Sequence, residues 1–345
     1  MSTRVGVLVK DGHPSWPPRL PDGCDATLIH ASTADELKKK TETLDALVWV
    51  PGVSSEEVTA AFDACKPHWV HSFPAGVDGL SGFLASASLA ARPVPVTNGR
   101  GAFSSSLAEY ALTAILHFTK QVPRCLGNAR SQTWEPFVMD VVRGKTVGFV
   151  GYGHIAQATA ALCKALGMRV VACRRSCGAD DTVAPAATYA PEDRSKLFAE
   201  SDYVICSLPG TSATLDFCGA AEFGAMRPNA VFVSLGRGAA VDEDALVDAL
   251  KAGKLRGAAL DVFKEEPLPQ TFAPASALSF LRRRRRGGTP PTLDTQVAAL
   301  GPRRPRAPHG AQRGPHGGLL RPGLERLRGK LPVLRRGRNA VGDAY

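Results

Sequence analysis

The stretch from Thr146 to Arg175, TVGFVGYGHIAQATAALCKALGMRVVACRR, limits what this chain can fold into more than any other. It reads as strand, glycine turn, helix, strand. Thr146 to Val150 is a short apolar β-rich run, and Gly151-Tyr152-Gly153-His154-Ile155-Ala156 forms a G-x-G-x-x-A turn. Apolar residues then recur at helical spacing from Ala156 to Leu166, Gly167 closes the helix, and Arg169 to Cys173 is the second strand. In such a unit the first glycine permits a tight turn, the second admits a pyrophosphate close to the backbone, and the third small residue lets helix pack on strand. The helix N-terminus then offers free N–H groups and a positive dipole end to the phosphates. A glycine turn used only for packing is the competing reading, and the complete βαβ context argues against it.

The same rhythm extends over most of the chain. Strands are expected at Arg4 to Lys10, Ala26 to His30, Leu44 to Val50, Trp69 to Phe73 and Val94 to Asn98. Between them fall a polar helix over Thr33 to Thr43 and a helix over Ser54 to Cys65 with Ser54 as its cap. Ser106-x-x-Glu109 matches a capping box ahead of a helix that would open a second domain, and Gln121 to Arg143 reads as loop. Past Arg175, strands are expected at Tyr203 to Leu208, Val231 to Leu235 and Gly257 to Phe263. Helices are expected at Ser195 to Glu200 and from an Asp242 cap to Lys251. Polar and small residues gather where these strands end, which in an open α/β sheet is where ligands bind. Pro74-Ala75-Gly76-Val77-Asp78-Gly79 is one such place, although alone it is no more than a turn.

With 345 residues the chain has room for more than one core. Its formal net charge of +10 suggests nucleic acid until it is localised. Residues 271–345 hold 16 Lys and Arg against 3 Asp and Glu, so residues 1–270 are slightly acidic. Five arginines run together at 282–286, and the tail contains 9 Pro and 11 Gly, a composition typical of disordered sequence. Nucleic-acid binding is therefore not expected, and since no apolar run approaches membrane-spanning length, neither is membrane spanning. Met1 leads almost directly into a strand, leaving no evident room for a signal peptide, so a cytoplasmic location is the default expectation. The eight cysteines lack zinc-site pairing and read as buried or incidental thiols, with no metal site.

The residue after the second strand of the βαβ unit decides which dinucleotide is held. An acid about 20 residues past the glycines would bind a ribose 2′-hydroxyl, whereas arginine would pair with a 2′-phosphate. Here Arg174-Arg175-Ser176 stands at that place, so NADP is preferred, with NAD possible.

Six segments, in this order and spacing, complete the picture: WVHSFPAGVDGL, TNGRGAFSSSLAEYAL, TVGFVGYGHIAQATA, VICSLPGTSAT, FVSLGRGAAVDEDALVDAL and GAALDVFKEEPLP. Over about residues 1–270 the chain resembles the D-isomer-specific 2-hydroxyacid dehydrogenases, especially glyoxylate and hydroxypyruvate reductases. The resemblance implies an α/β fold of two domains with parallel sheets: a flavodoxin-like substrate domain (1–100) and a Rossmann-type dinucleotide domain (101–270) inserted into it, followed by the aberrant tail. It implies that Arg237 clamps the substrate carboxylate and keto oxygen, a task suited to a planar fork that stays charged. Glu266 would orient a catalytic histidine and favour its protonated form. The backbone at Ala75 and Gly76 would meet the substrate carboxylate. Gly151, Gly153, His154, Ile155, Arg174, Arg175, Leu208, Pro209, Thr214, Leu235 and Asp261 would line the cofactor. A homodimer acting on a small 2-keto or 2-hydroxy acid is implied as well.

Keto reduction also needs a proton donor, and histidine is the natural one near neutral pH. The family carries it shortly after the glutamate. Here Pro308-His309-Gly310-Ala311 resembles the family's Pro-His-x-Ala, but no apolar strand precedes it and no helix follows, so His309 is a weak candidate acid/base. Reading the codons one base later from Ala311 permits HNADLTEDYF and then LGWxVF, which resembles the family's histidine segment and closing helix. The tail after about residue 270 thus reads as out of frame, with retained noncoding sequence around Thr271 to Asp294 and a genuine basic tail as the other readings; read as out of frame, the chain as written lacks the family's proton donor. A dinucleotide-sensing binding protein without turnover is the alternative.

Overall fold

The structure is a computed structural model, and it describes residues 2–13, 22–176 and 181–266. The chain begins with β1 (Thr3–Leu8), β2 (Ala26–Ala31), α1 (Ala34–Lys40), β3 (Ala46–Trp49), α2 (Ser55–Cys65), β4 (Trp69–Ser72), α3 (Ser81–Leu84), α4 (Ala87–Ala91) and β5 (Val96–Asn98). All five strands are parallel, in the order β2-β1-β3-β4-β5, the flavodoxin-like arrangement. Leu8, Ala31, Trp49, Ser72 and Asn98 lie level, so every strand of this sheet ends at one edge. Leu37, Leu47, Phe62, Val70 and Phe83 fill its core.

The second half contains α5 (Ser104–Thr119), α6 (Val122–Arg130), β6 (Thr146–Val150), α7 (His154–Ala165), β7 (Arg169–Cys173), β8 (Ala187–Tyr189), α8 (Arg194–Glu200), β9 (Tyr203–Cys206), α9 (Ala220–Ala225), β10 (Val231–Ser234), α10 (Glu243–Lys251) and β11 (Gly257–Leu260). Its six parallel strands run β11-β10-β9-β6-β7-β8. Counted within this half, that is 6-5-4-1-2-3, the doubly wound Rossmann order, and its switch point lies between β6 and β9. Register again levels the ends, at Val150, Cys173, Cys206, Ser234 and Leu260. The strands are buried on both faces, which is why they read as continuous apolar runs. One face packs under α5 and α7 through Ala111, Ile115, Phe118, Phe149, Ala156 and Ala160. The other packs under α8, α9 and α10 through Leu197, Phe198, Phe223, Phe232 and Leu246.

Local chemistry sets most boundaries as expected. The Ser54 hydroxyl accepts from the Glu57 amide, and the Asp242 carboxylate caps α10 at the Ala245 amide. Two expectations fail. The helix anticipated at Ser106 starts at Ser104, and its first residue follows Phe103, whose side chain makes no cap bond. The Gly99–Phe103 turn, with Gly101 at φ +92° and the Ser104 amide donating to the Gly101 carbonyl, winds the chain into helix two residues early. The stretch Gln121 to Arg143 is not all loop, because Pro123 sits in the first turn of α6, where a missing N–H costs nothing. Arg124 then ties α6 to Glu135 at 2.6 Å and lies 4.1 Å over the Phe137 ring.

Candidate active site

The glycine turn lies at the switch point of the second sheet. Gly151, at φ +85°, takes the left-handed conformation that a side chain resists, and its amide donates to the Cys173 carbonyl at 2.9 Å. Across the crevice, Ser207 just after β9 donates its hydroxyl to the Gly151 carbonyl at 3.2 Å. Gly153 caps α7 with no side-chain bond to the helix's first amides, and a Cβ there would meet nothing within 4 Å. The helix N-terminus therefore faces open space with its N–H groups unshielded, which fits a dinucleotide pyrophosphate. His154 is exposed beside this turn, and half-buried Ile155 packs into the core beneath α5 and α7.

At the end of β7 the expected pair of arginines divides. Arg175 is exposed. Arg174 is nearly buried and meets the Asp181 carboxylate bidentately, Nη1 to Oδ1 at 2.7 Å and Nη2 to Oδ2 at 2.6 Å. This pairing holds the Asp181 carboxyl below the usual range, the hydrogen bonds outweighing desolvation. An acid does reach the end of β7, then, but from seven residues downstream, where the sequence rule would not look.

The second cluster joins the two sheets. After β4, the Ser72 hydroxyl donates to the Pro74 carbonyl and Asn98 Nδ2 donates to the Ala75 carbonyl at 2.8 Å, fixing the Pro74–Asp78 loop. After β10, Arg237 reaches across to it. A Cβ on Gly76 would lie 1.6 Å from Arg237 Nη2, so the guanidinium rests directly on the Gly76 backbone. Arg237 Nε donates to Asp78 Oδ2 at 3.1 Å and Nη1 to the Gly236 carbonyl at 3.0 Å. Arg237 and Asp78 remain 43% and 64% exposed. The cation and the backbone expected to share a substrate carboxylate thus lie against each other.

The loops after β9, β10 and β11 pack backbone on backbone. A Cβ at Gly236 would fall 2.2 Å from the Leu208 carbonyl oxygen, and one at Gly238 would fall 1.9 Å from the Phe263 carbonyl carbon. The LGRGA pattern is thereby explained by close approach. Thr214 closes its loop on Pro209, donating to the Pro209 carbonyl at 2.6 Å. Leu235 is buried behind Arg237 in the chain. Past β11, the Glu266 carboxylate accepts from the Phe263 amide at 2.8 Å and Glu243 from the Lys264 amide at 2.7 Å. Desolvation, and then the Glu266 charge, push the Asp261 carboxyl up, while burial and then Asp261 push the Tyr110 phenol up to about 12. His309 lies outside the described residues. Among the described residues, no group of three or more His, Cys, Asp or Glu could hold a metal ion, and no helix is long and apolar enough to cross a membrane.

Sequence reasoning missed Asp181 and Asp78 as partners of the two key arginines. Only Asp78 carried a signal, its place in the loop after β4.

Residues 112–280 match the D-isomer specific 2-hydroxyacid dehydrogenase, NAD binding domain. Over 242 residues the chain is 32% identical to glyoxylate reductase from Thermococcus gammatolerans, covering 67% of this chain and 70% of that protein. The chain belongs to the D-isomer-specific 2-hydroxyacid dehydrogenase family. Its relatives are oxidoreductases acting on CH–OH groups, and the family match ends at residue 280, just before the arginine run. D-3-phosphoglycerate dehydrogenase from Archaeoglobus fulgidus is 33% identical over 51% of this chain, which spans only 33% of that protein. Among solved structures, the NADPH-dependent glyoxylate/hydroxypyruvate reductase of Sinorhizobium meliloti in complex with citrate is 27% identical, with a TM-score of 0.61 over 78% of this chain and 83% of that one.

Proposed function

We propose that this chain derives from a reductase of small 2-keto acids, of the glyoxylate or hydroxypyruvate class, that prefers NADP over NAD. The observation that carries the reading is Arg237 resting on Gly76. A guanidinium and a loop backbone that converge on one point suit a substrate carrying a carboxylate next to a carbonyl. The open N-terminus of α7 suits the dinucleotide pyrophosphate, and exposed Arg175 suits a 2′-phosphate. A bound nicotinamide would supply the hydride. Arg237 would hold the carboxylate and polarise the keto oxygen, and Asp78, already on the Arg237 fork, would yield to the substrate. The division into a substrate domain up to about residue 100 and a dinucleotide domain up to about residue 270 belongs to the same reading. So does a cytoplasmic homodimer, which suits the free thiols and the exposed apolar side chains of Leu126, Trp134, Val138 and Val141.

The oxygen must also receive a proton, and Glu266 has its expected role only beside a histidine. The reading therefore holds the chain as written to be impaired by about 10²–10⁴-fold, the share general acid–base catalysis supplies. Steady-state assays of the chain and of a frame-restored form, with NADPH and NADH across a small keto-acid panel, test this. Restored turnover of glyoxylate or hydroxypyruvate with NADPH favoured is the expected result. Full turnover by the unaltered chain would overturn the impairment, and dinucleotide binding without turnover in the restored form would identify a sensing protein.

A further inference from the structure

Beside the end of β7 stands a carboxylate, that of Asp181, which the sequence rule for dinucleotide choice does not anticipate. Asp181 and Arg174 are only 10% and 12% exposed. The pair is anchored from the glycine turn itself. Gln157, in the first turns of α7, donates Nε2 to Asp181 Oδ1 at 3.3 Å, and its Oε1 accepts from both the amide and the hydroxyl of Thr182 at 3.1 and 3.0 Å. Tyr152, the middle residue of the G-x-G turn, donates its hydroxyl to the Val183 carbonyl at 2.7 Å, and the Arg174 guanidinium lies 5.4 Å from its ring centroid. Turn, helix and downstream segment thus clamp one carboxylate onto one arginine fork.

We propose that Asp181 is a specificity-determining residue for the dinucleotide. Its carboxylate occupies the Nη1/Nη2 edge of Arg174, lowering the preference for a 2′-phosphate that the arginine pair would otherwise confer. The inference rests on the cofactor reading above. Two anions cannot share that edge: a 2′-phosphate carries more than one negative charge at neutral pH, and it would have to displace Asp181 or approach it against repulsion in a partly desolvated place. A ribose 2′-hydroxyl carries no charge and meets no such opposition. Arg175, exposed at the next position, then carries the residual attraction for phosphate. The chain sits closer to dual use of NADH and NADPH than its Arg174-Arg175-Ser176 motif implies.

The test is direct binding to the full chain, with no turnover required. Dissociation constants for NADPH and NADH, and for 2′,5′-ADP and 5′-AMP as fragments, are measured by calorimetry for the wild type, Asp181→Asn and Gln157→Leu. The Asn variant keeps the size and one acceptor oxygen while removing the charge and one of the two bonds to Arg174. The ratio of NADH to NADPH dissociation constants is expected to rise roughly tenfold in Asp181→Asn, with the same shift between the fragments, because removing one charge–charge opposition is worth about a factor of ten. Gln157→Leu, which loosens Asp181 without touching its charge or Arg174, should move the ratio the same way by less. Circular dichroism checks that each variant is folded, and Gln157→Leu decides the matter if Asp181→Asn is not. Binding of both dinucleotides with unchanged ratios in the folded variants would overturn this inference alone. Failure of the wild type to bind either dinucleotide would overturn the cofactor reading and this inference with it.

Discussion

Arg174 and Arg237 each carry a carboxylate on their fork, and burial separates what those pairs are worth. The Arg237–Asp78 pair is largely exposed, so it contributes about 0–1 kcal/mol and a substrate carboxylate can replace it. Asp78→Ala is therefore expected to leave the melting temperature within a few degrees of the wild type while strengthening binding of small dicarboxylate inhibitors, as read by titration calorimetry. Weaker inhibitor binding would show that Asp78 helps to hold the ligand. Gly76→Val makes the complementary prediction. Its Cβ would take the place of Arg237 Nη2, and because that atom ends a flexible side chain, the fold survives while the clamp moves away. In the frame-restored enzyme the keto-acid KM should rise roughly ten- to hundredfold, the cost of a lost charge-assisted hydrogen bond of about 1.5–3 kcal/mol. These two contacts also mark where reading residues in sequence stops working. The arginines could be named from their motifs, but Asp78 precedes Arg237 by 159 positions, and no local spacing pairs them.

At the level of elements, the levelled strand ends of the second sheet bring five loops to one edge, and glycines decide how closely they pack. Gly238→Ala would drive a Cβ into the Phe263 backbone, which cannot swing aside as a side chain can. A loss of about 3 kcal/mol or more is expected by denaturant titration. Gly153→Ala gives the opposite profile: with φ −90° and open space ahead, stability should hardly change, yet dinucleotide affinity should fall because the methyl fills the pyrophosphate's approach. Equal loss of stability in both variants would refute this division. Glu243 shows an element-level use of charge. It sits at the start of α10, is 8% exposed, and accepts from the Lys264 amide in the loop after β11. Burial pushes its carboxyl up despite that bond, so ionising it costs stability as pH rises through the raised value. Glu243→Gln should be neutral or slightly stabilising at pH 7, whereas Glu243→Ala, leaving the amide unmatched, should cost about 1–3 kcal/mol. Helix identity was largely legible because caps and apolar spacing are local. The helix α6 was not, because its apolar side chains are few and its contact with Glu135 and Phe137 forms only when the following segment folds back.

For the molecule as a whole, the acid limit of stability should reflect carboxylates held as anions. The Lys40 side chain and the Ser32 amide lower the Glu36 carboxyl from 4.5 to about 2, and Arg174 lowers that of Asp181. A carboxyl lowered on folding adds stability above its unfolded value and loses it as pH falls through the folded one. Melting temperature should therefore decline from about pH 4.5 toward pH 2, and Glu36→Gln with Asp181→Asn should flatten that decline. A limb unchanged by both substitutions would place the sensitivity elsewhere. The sequence by itself determined the strand–turn–helix units, the glycine turn, the main caps and the family, because each depends on residues within a few turns of one another. It also marked the change of character after residue 270, where composition alone departs from a packed core. Only the tertiary structure decided the order of the strands, the contact between Arg237 and Gly76, and the carboxylates that meet the two arginines. Those depend on which loops the folded sheets carry to a common edge, and a charge on one loop acts on another only across the few ångströms that folding creates.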